Sequence, residues 1–379
     1  MTAAPRPRIV VVRGHQANSW HLRPWRHLTD RFDVVALRTR RNWFDTASLG
    51  IPTAEAPALR DYLPAGRAGD LLSRVPGDRY VRPADAFRGA AIVHSQDLGF
   101  WYSMQAARLR RRLGYKLVLT VWETIPFLHA FRNVRTRPYR DLVLRETDLF
   151  LAATERARDC LLLEGAPEER IEVCAPGVDL DLFAAAPAAS AGADHVIVSP
   201  GRLVWEKGHQ DVLRALAALR RGVVPAPPGA RPRALVIGAG AEEGRLRRYA
   251  SELGVADLVE FRSEVPYAEM PSVYATASCV VLASLPVWSW EEQFGMVLIE
   301  AMVSGVPIAA SSAGAIPEVL EDSAALFAPG DWLGLARALA SGPLAKAPGE
   351  RHRYDAGLLR RYGSVAAAER LADAYGRLL

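Results

Sequence analysis

Short apolar runs rich in β-branched residues recur along this chain, separated by stretches with helical spacing. That alternation limits the fold more than any other feature. In the first half the runs are Ile9–Val12, Val34–Leu37, Ala90–Val93, Lys116–Val121, Leu149–Ala152 and Glu172–Cys174. In the second half they are Val196–Ser199, Ala234–Ile237, Leu258–Phe261, Cys279–Leu282, Pro307–Ala310 and Ala325–Phe327. Helical patterns fall between them, among them Gln210–Arg221, Glu243–Leu253 and Tyr267–Ala275. Strands alternating with helices predict parallel α/β layers. A chain of 379 residues exceeds one ordinary core, so two such layers are expected. The alanine- and proline-rich segment Ala184–Ala193 lacks periodicity and reads as the linker, which puts the boundary near residue 185.

The totals exclude several classes. Half the residues are hydrophobic and 23% are charged, as in a soluble globular protein. No apolar run reaches the ~18 residues a transmembrane helix needs. The N-terminus enters the strand Arg8–Arg13 without the pattern of a signal peptide. Cys160, Cys174 and Cys279 are scattered, without metal-ligand spacing, and read as reduced core residues of a cytoplasmic protein. The net charge of +5 admits anionic partners without specifying nucleic acid.

In parallel sheets of this kind ligands sit outside the carboxyl ends of the strands, so the segments just after strands carry the candidates. Gly201-Arg202-Leu203-Val204-Trp205-Glu206-Lys207-Gly208 follows one strand and precedes a helix. Arg202 can grip a diphosphate as a fork and Lys207 as a point charge. For either cation alone a solvated loop is the simpler reading, and the pair together favours the diphosphate. Gly238-Ala239-Gly240-Ala241-Glu242-Glu243-Gly244 imitates a dinucleotide fingerprint, but its third glycine is displaced and its acids oppose a pyrophosphate. A tight strand-to-helix turn, with the acids capping the helix, is expected instead. In Trp290–Met302, Glu292 precedes the Phe294-Gly295 turn and Glu300 lies on the helix that follows. The amides of Phe294, Gly295, Met296 and Val297 stand at a helix N-terminus able to meet phosphate or sugar oxygens. Trp288 and Trp290 either wall a sugar site or pack beneath the loop.

Three segments together carry a family resemblance. They are Gly201–Gly208, Glu292 to Glu300 with Ala301-Met302-x-x-Gly305-x-Pro307, and Gly314-Ala315-Ile316-Pro317-Glu318-Val319. They closely resemble the retaining glycosyltransferases of family four. The likeness spans nearly the whole chain, is tightest from Ser199 to Leu320, and reaches Pro176-Gly177-Val178-Asp179. It implies the GT-B fold: two Rossmann-like parallel-sheet domains facing a central cleft. Residues 1–184 would bind the acceptor and 185–360 the nucleotide-diphosphate sugar, with a helix in 361–379 packing back toward the first domain. By the same resemblance Arg202 and Lys207 bind the diphosphate, Glu300 the ribose and Glu292 the donor-sugar hydroxyls. The base lies near Arg262–Val265. No metal or other cofactor is implied, because cations and helix N-termini neutralise the diphosphate. The acceptor is a glycan, a lipid-linked sugar or a small molecule.

The first half departs from the family in two places. Gly14 is followed by His15 where many relatives have a second glycine, and Trp122 stands where many have a histidine. A tryptophan cannot carry a proton, so either Glu123, His15 or His94 supplies a polar contact on the acceptor side or none is needed, a lone histidine being more often structural than catalytic. Arg108, Arg110, Arg111, Arg112, Lys116, Arg132, Arg135, Arg137, Arg140 and Arg145 face only Glu123 and Asp141 within their own interval. They read equally as a solvated surface and as a patch for anionic lipid headgroups, which would place the protein peripherally at the inner face of a membrane. No nucleic-acid motif accompanies the charge. The rival readings are a nucleotide-sugar epimerase or phosphorylase of the same architecture, and a non-catalytic sugar-nucleotide-binding protein.

Overall fold

The computed structural model describes residues 5–44, 46, 49–64, 69, 72, 77–128, 137–184 and 192–379. Most of the expected linker, and Phe131, Arg132 and Arg135 of the basic segment, lie outside the described residues. The chain divides into two compact units. One is Met1–Val178 together with Tyr362–Leu379, and the other is Asp179–Arg361.

The first unit holds a parallel sheet of β1 (Arg8–Val12), β2 (Asp33–Arg38), β3 (Thr53–Glu55), β4 (Ile92–Gln96), β5 (Lys116–Val121), β6 (Leu149–Ala152) and β7 (Ile171–Val173). Their spatial order is β3-β2-β1-β4-β5-β6-β7. Both faces are covered, so successive residues of β1 serve opposite cores. Val10 and Val12 pack with Leu117 and Leu119, whereas Ile9 and Val11 pack with Val118 and Leu151. The second of these cores takes in the helix Ser364–Leu378 through Leu371, Ala372 and Tyr375. The Trp25 indole N–H donates to the Tyr375 hydroxyl at 2.9 Å, tying the chain's last helix to one of its first. The strand expected at Ala90–Val93 runs instead from Ile92 to Gln96. Its polar end, His94-Ser95-Gln96, is buried because each side chain finds a hydrogen-bond partner inside. The edge strand β3 has one apolar residue between two polar ones and gives no sequence signal.

The second unit repeats the plan with β8 (His195–Pro200), β9 (Pro232–Ile237), β10 (Val259–Arg262), β11 (Cys279–Leu282), β12 (Ile308–Ser311) and β13 (Ala325–Phe327). All pair in parallel in the order β10-β9-β8-β11-β12-β13, the doubly wound arrangement. This unit begins at Asp179, ahead of the expected boundary near residue 185. The reason is packing: the helix Leu180–Ala184 sets the fully buried Phe183 ring 5.5 Å from Tyr267 and 5.8 Å from Tyr274. Among the described residues no helix is long and apolar enough to cross a membrane.

In each sheet the strand order reverses once, between β1 and β4 and between β8 and β11. Loops leaving these strands diverge to opposite faces and open a crevice at the carboxyl edge, where such sheets bind ligands.

Candidate functional site

In the second unit the crevice lies between the loops after β8 and β11. The β8 loop is anchored to the β9 turn: Leu203 N–H donates to Ala239 O and Glu242 N–H donates to Leu203 O, both at 2.9 Å. Gly208, with φ of +70°, lets this loop meet the end of β11. A Cβ there would stand 1.7 Å from the Ala283 carbonyl oxygen, which only glycine avoids. The buried His209 holds the loop from below. Burial lowers its pKa to about 4, so the ring is neutral at physiological pH. Nε2 therefore donates to the Arg202 carbonyl at 3.1 Å, and Nδ1 accepts from the Ser199 hydroxyl at 2.8 Å.

This scaffold brings Lys207 and Glu292 together across 85 residues of sequence. Lys207 Nζ donates to Glu292 Oε2 at 2.7 Å, and the Ser284 hydroxyl donates to the same oxygen at 2.6 Å. Glu292 Oε1 has no partner among the described residues. The Lys207 ammonium also lies 4.9 Å over the ring of Trp290. Trp290 is partly buried against this pair, while Trp288 is 78% exposed. Arg202 is exposed, with no side-chain partner among the described residues. A lone cation and a carboxylate–lysine pair thus occupy one switch point, which suits an anion with a hydroxyl-bearing group attached.

The helix Met296–Val303 starts from Gly295 in the left-handed conformation, φ +83°. Phe294 is buried, and Met296 and Val297 stand in the first turn, whose amides lack intrahelical acceptors. Glu300, further along this helix, is only 4% exposed. Its Oε2 accepts from the Tyr274 hydroxyl at 2.8 Å, and Tyr267 is a second hydrogen-bond partner. Burial lifts the carboxyl to about 7, with the two tyrosines opposing the rise. Arg262 ends β10 with its guanidinium on Glu260 at 2.7 Å, and Val265 follows at the same edge, partly exposed. The β9 turn differs from expectation in one respect. Glu242 stands at the N-cap and Glu243 in the first turn, as expected, but the Glu242 side chain makes no cap hydrogen bond, and the two acids pair with Arg245 and Arg247 one helical turn on.

In the first unit the corresponding edge gathers Gly14, His15, Trp122 and Glu123, but not His94. His94 is fully buried beneath the helix Ser364–Leu378. The Tyr375 hydroxyl donates to its Nδ1, and its Nε2 donates to Thr120 Oγ1 at 2.6 Å. Desolvation, with Arg13 adding to it, drives its pKa well below the usual imidazole range. With both nitrogens engaged inside the core, His94 is a structural histidine. Trp122 and Glu123 are held by Asp97, a non-glycine residue at φ +47° directly after β4. Its Oδ1 accepts the Trp122 N–H at 2.8 Å and the Glu123 N–H at 3.3 Å, and burial raises its pKa to about 7. The Trp122 ring lies 5.1 Å from that of His21. His15 is bonded through Nδ1 to Asp78.

The basic segment is less bare than its own interval suggests, because its counter-ions come from later in the chain. Arg110 grips Asp148 with Nε at 2.7 Å and a second nitrogen on the other oxygen; Arg111 and Arg145 meet Glu146 at 2.8 and 3.5 Å. Lys116 lies 4.0 Å from Asp148, and the buried Arg140 is paired with Glu164. Arg108 rests over the Tyr139 ring at 5.2 Å.

Several residues that build these loops carry no sequence signal. Ser199, Ser284 and Tyr274 are ordinary residue types at ordinary spacings, and Asp78 meets His15 only through the fold. His209, directly after Lys207-Gly208, is the one whose position could have singled it out. Among the described residues no group of three or more His, Cys, Asp or Glu is placed to hold a metal ion.

Residues 185–354 match the family described as Glycosyl transferases group 1, and residues 26–182 match Glycosyltransferase Family 4. A D-inositol 3-phosphate glycosyltransferase of Thermobispora bispora is 30% identical over 76% of this chain and 71% of its own length. A GDP-mannose-dependent alpha-(1-6)-phosphatidylinositol monomannoside mannosyltransferase of Mycolicibacterium smegmatis is 36% identical over 68% of this chain and 70% of its own. Among solved structures, Anabaena Alr3699/HepE in complex with UDP and glucose superposes with a TM-score of 0.72 at 18% identity. That match covers 98% of this chain and all of the other. The paired doubly wound sheets are those of the GT-B fold, and the chain belongs to the family 4 glycosyltransferases, enzymes that transfer a sugar from a nucleotide-sugar donor.

Proposed function

We propose that this enzyme transfers a hexosyl group with retention, without a metal, from a nucleoside-diphosphate sugar held by the second unit to a hydroxyl held by the first. The observation that carries the reading is the Lys207–Glu292 pair at the switch point, with Arg202 exposed on the same loop. Arg202, Lys207 and the amides of Met296 and Val297 meet the diphosphate, replacing a metal as counter-charge. Glu292 accepts hydrogen bonds from the sugar hydroxyls, Glu300 from the ribose, and the backbone around Arg262–Val265 lies along the base. In the transfer step the bond from the anomeric carbon to the phosphate oxygen breaks. The acceptor oxygen bonds to the same face of that carbon, and its proton passes to the departing phosphate. Glu292 positions and stabilises; it forms no covalent bond.

The relatives' names point to an acceptor that is an inositol phosphate or an inositol lipid, a polyol bearing phosphate. A lipid acceptor would bring the chain to an anionic membrane surface, where Arg112 and the paired Arg108 and Arg111 are exposed. The buried free cysteines Cys160, Cys174 and Cys279 suit a reducing cytoplasm. The test is a thermal-shift screen of nucleoside-diphosphate sugars, followed by product analysis with D-inositol 3-phosphate and phosphatidylinositol monomannoside in excess EDTA. A donor that binds raises the melting temperature by mass action. Lys207→Ala should abolish both the shift and transfer; near-normal transfer by that variant would sink the assignment, and loss of activity in EDTA would end its metal-free form.

A further inference from the structure

We propose that His15 and Asp78 form an acceptor-orienting dyad in the first unit, with Nδ1–H of His15 donating to Asp78 and Nε2 accepting a hydrogen bond from an acceptor hydroxyl. The proposal deepens the acceptor side of the reading above and rests on it.

His15 lies in the loop leaving β1, three residues past Val12 at the carboxyl edge, beside the point where the strand order turns. The loop is built to set its ring on Asp78. Gly14 takes φ of +57°, and a Cβ there would lie 2.7 Å from both Asp78 Oδ2 and the Tyr102 ring. Asp78 is 6% exposed and is shared: Oδ2 takes His15 Nδ1, and Oδ1 takes Arg60 Nη1 at 3.2 Å. Trp43 stands edge-on to the imidazole at 4.1 Å, and Arg60 lies over the same indole at 5.5 Å. The ring is thus fixed by a carboxylate, a cation and an aromatic edge, and Arg60 already meets the charge of Asp78. A neutral imidazole that gives its Nδ1 proton to a carboxylate keeps a lone pair on Nε2. That nitrogen has no partner among the described residues. A carboxylate that fixes tautomer and orientation is how a histidine is made into a directed hydrogen-bond acceptor. The sequence lacks a histidine at the Trp122 position, and the His21 ring packed 5.1 Å from that indole has Asn18, not an acid, on its Nδ1. His94 is sealed in the core, so His15 is the imidazole at this edge with a tautomer set by a buried acid.

Two measurements test the dyad. The first is the nitrogen-15 spectrum of the imidazole, assigned by difference with His15→Gln. An Nδ1–H tautomer that is lost in Asp78→Asn is expected, and an Nε2–H tautomer in the wild type would overturn the proposal. The second is steady-state transfer to D-inositol 3-phosphate and phosphatidylinositol monomannoside, alongside titration with UDP-glucose and GDP-mannose. His15→Phe preserves the packing against Trp43 and should lower the acceptor kcat/KM about tenfold or more, with donor Kd within about twofold. His15→Gln, whose amide oxygen can stand in for Nε2, should recover part of the loss, and Asp78→Asn should resemble His15→Phe. Unchanged acceptor kinetics in His15→Phe, or an equal loss of donor affinity, would refute an acceptor contact. A wild type that binds donor but transfers to neither acceptor would remove the acceptor class, and this assignment with it. A wild type that binds no donor would instead sink the donor-site reading.

Discussion

Glu300→Gln offers the most direct check on the electrostatics of the second unit. The Glu300 carboxyl is moved from an ordinary 4.5 to about 7, first by burial, with the tyrosine hydrogen bonds working the other way. A raised pKa means the folded state holds the proton more tightly than the unfolded chain does. The group's contribution is therefore fully present below pH 4.5 and is lost as pH rises through 7. A tenfold difference in proton affinity is worth ~1.4 kcal/mol, so this one carboxyl removes about 2–3 kcal/mol of stability between pH 5 and pH 8. For a domain of this size that is roughly 5–10 °C in melting temperature. Glutamine is nearly isosteric with the protonated acid and can still bond Tyr274, so the variant should match the wild type near pH 5 and exceed it near pH 8. The assay is differential scanning calorimetry across that range, following the transition of the second unit. Asp97, also raised to about 7, is unchanged by the substitution and cancels in the comparison. Parallel pH profiles would refute the reasoning. The same carboxyl links pH to donor binding: if the ionised form accepts the ribose hydroxyls, donor affinity rises with pH toward 7 in the wild type and stays flat in Glu300→Gln.

Glu292→Ala leaves the partly buried Lys207 ammonium without its carboxylate and should cost roughly 1–3 kcal/mol in chemical denaturation. Lys207→Met combined with Glu292→Gln should recover most of that stability while transfer stays absent, separating scaffold from chemistry. Gly208→Ala drives a methyl into the Ala283 carbonyl at a φ of +70°, so a loss of at least about 2 kcal/mol and failed donor binding are expected from melting and titration curves. With Arg110, Arg111, Arg140, Arg145 and Lys116 paired to acids, retention on phosphatidylinositol-containing vesicles should be weak and should vanish by about 150 mM salt, as co-sedimentation will show.

Most of the fold is written in local pattern. A run such as Ile9-Val10-Val11-Val12 has one physical outcome, a strand covered on both faces, and the strands with such runs stand within a residue or two of their expected places. The exceptions share a cause. Thr53–Glu55 is held by pairing with β2 rather than by its own apolar content. His94-Ser95-Gln96 is a strand because the core supplies hydrogen-bond partners that the sequence does not display. The candidate site follows the same division. Arg202, Lys207 and Glu292 stand out because charged residues in glycine- and aromatic-bearing loops between a strand and a helix have few structural reasons to be there. Ser284 and Asp78 do not, since each acquires meaning only from a partner the fold delivers. The basic segment shows the reverse error: counting charges within one interval misses Glu146, Asp148 and Glu164, which neutralise it.

On the proposed reading, the Lys207–Glu292 pair also says how a donor site can be stable and still ready. Two charges removed from water are costly unless each finds a counterpart, and here each is the other's. A nucleoside-diphosphate sugar carries both replacements on one molecule: phosphate oxygens for the ammonium and sugar hydroxyls for the carboxylate. Because Glu292 uses Oε2 for Lys207 and Ser284, Oε1 can accept a hydroxyl before the pair parts. Arg202, exposed on the same loop, can meet the diphosphate before Lys207 turns toward it. Exchange can thus proceed without either charge standing alone. The sugar and the diphosphate must then arrive joined for both partners to be replaced together, which makes the intact donor a better ligand than either fragment.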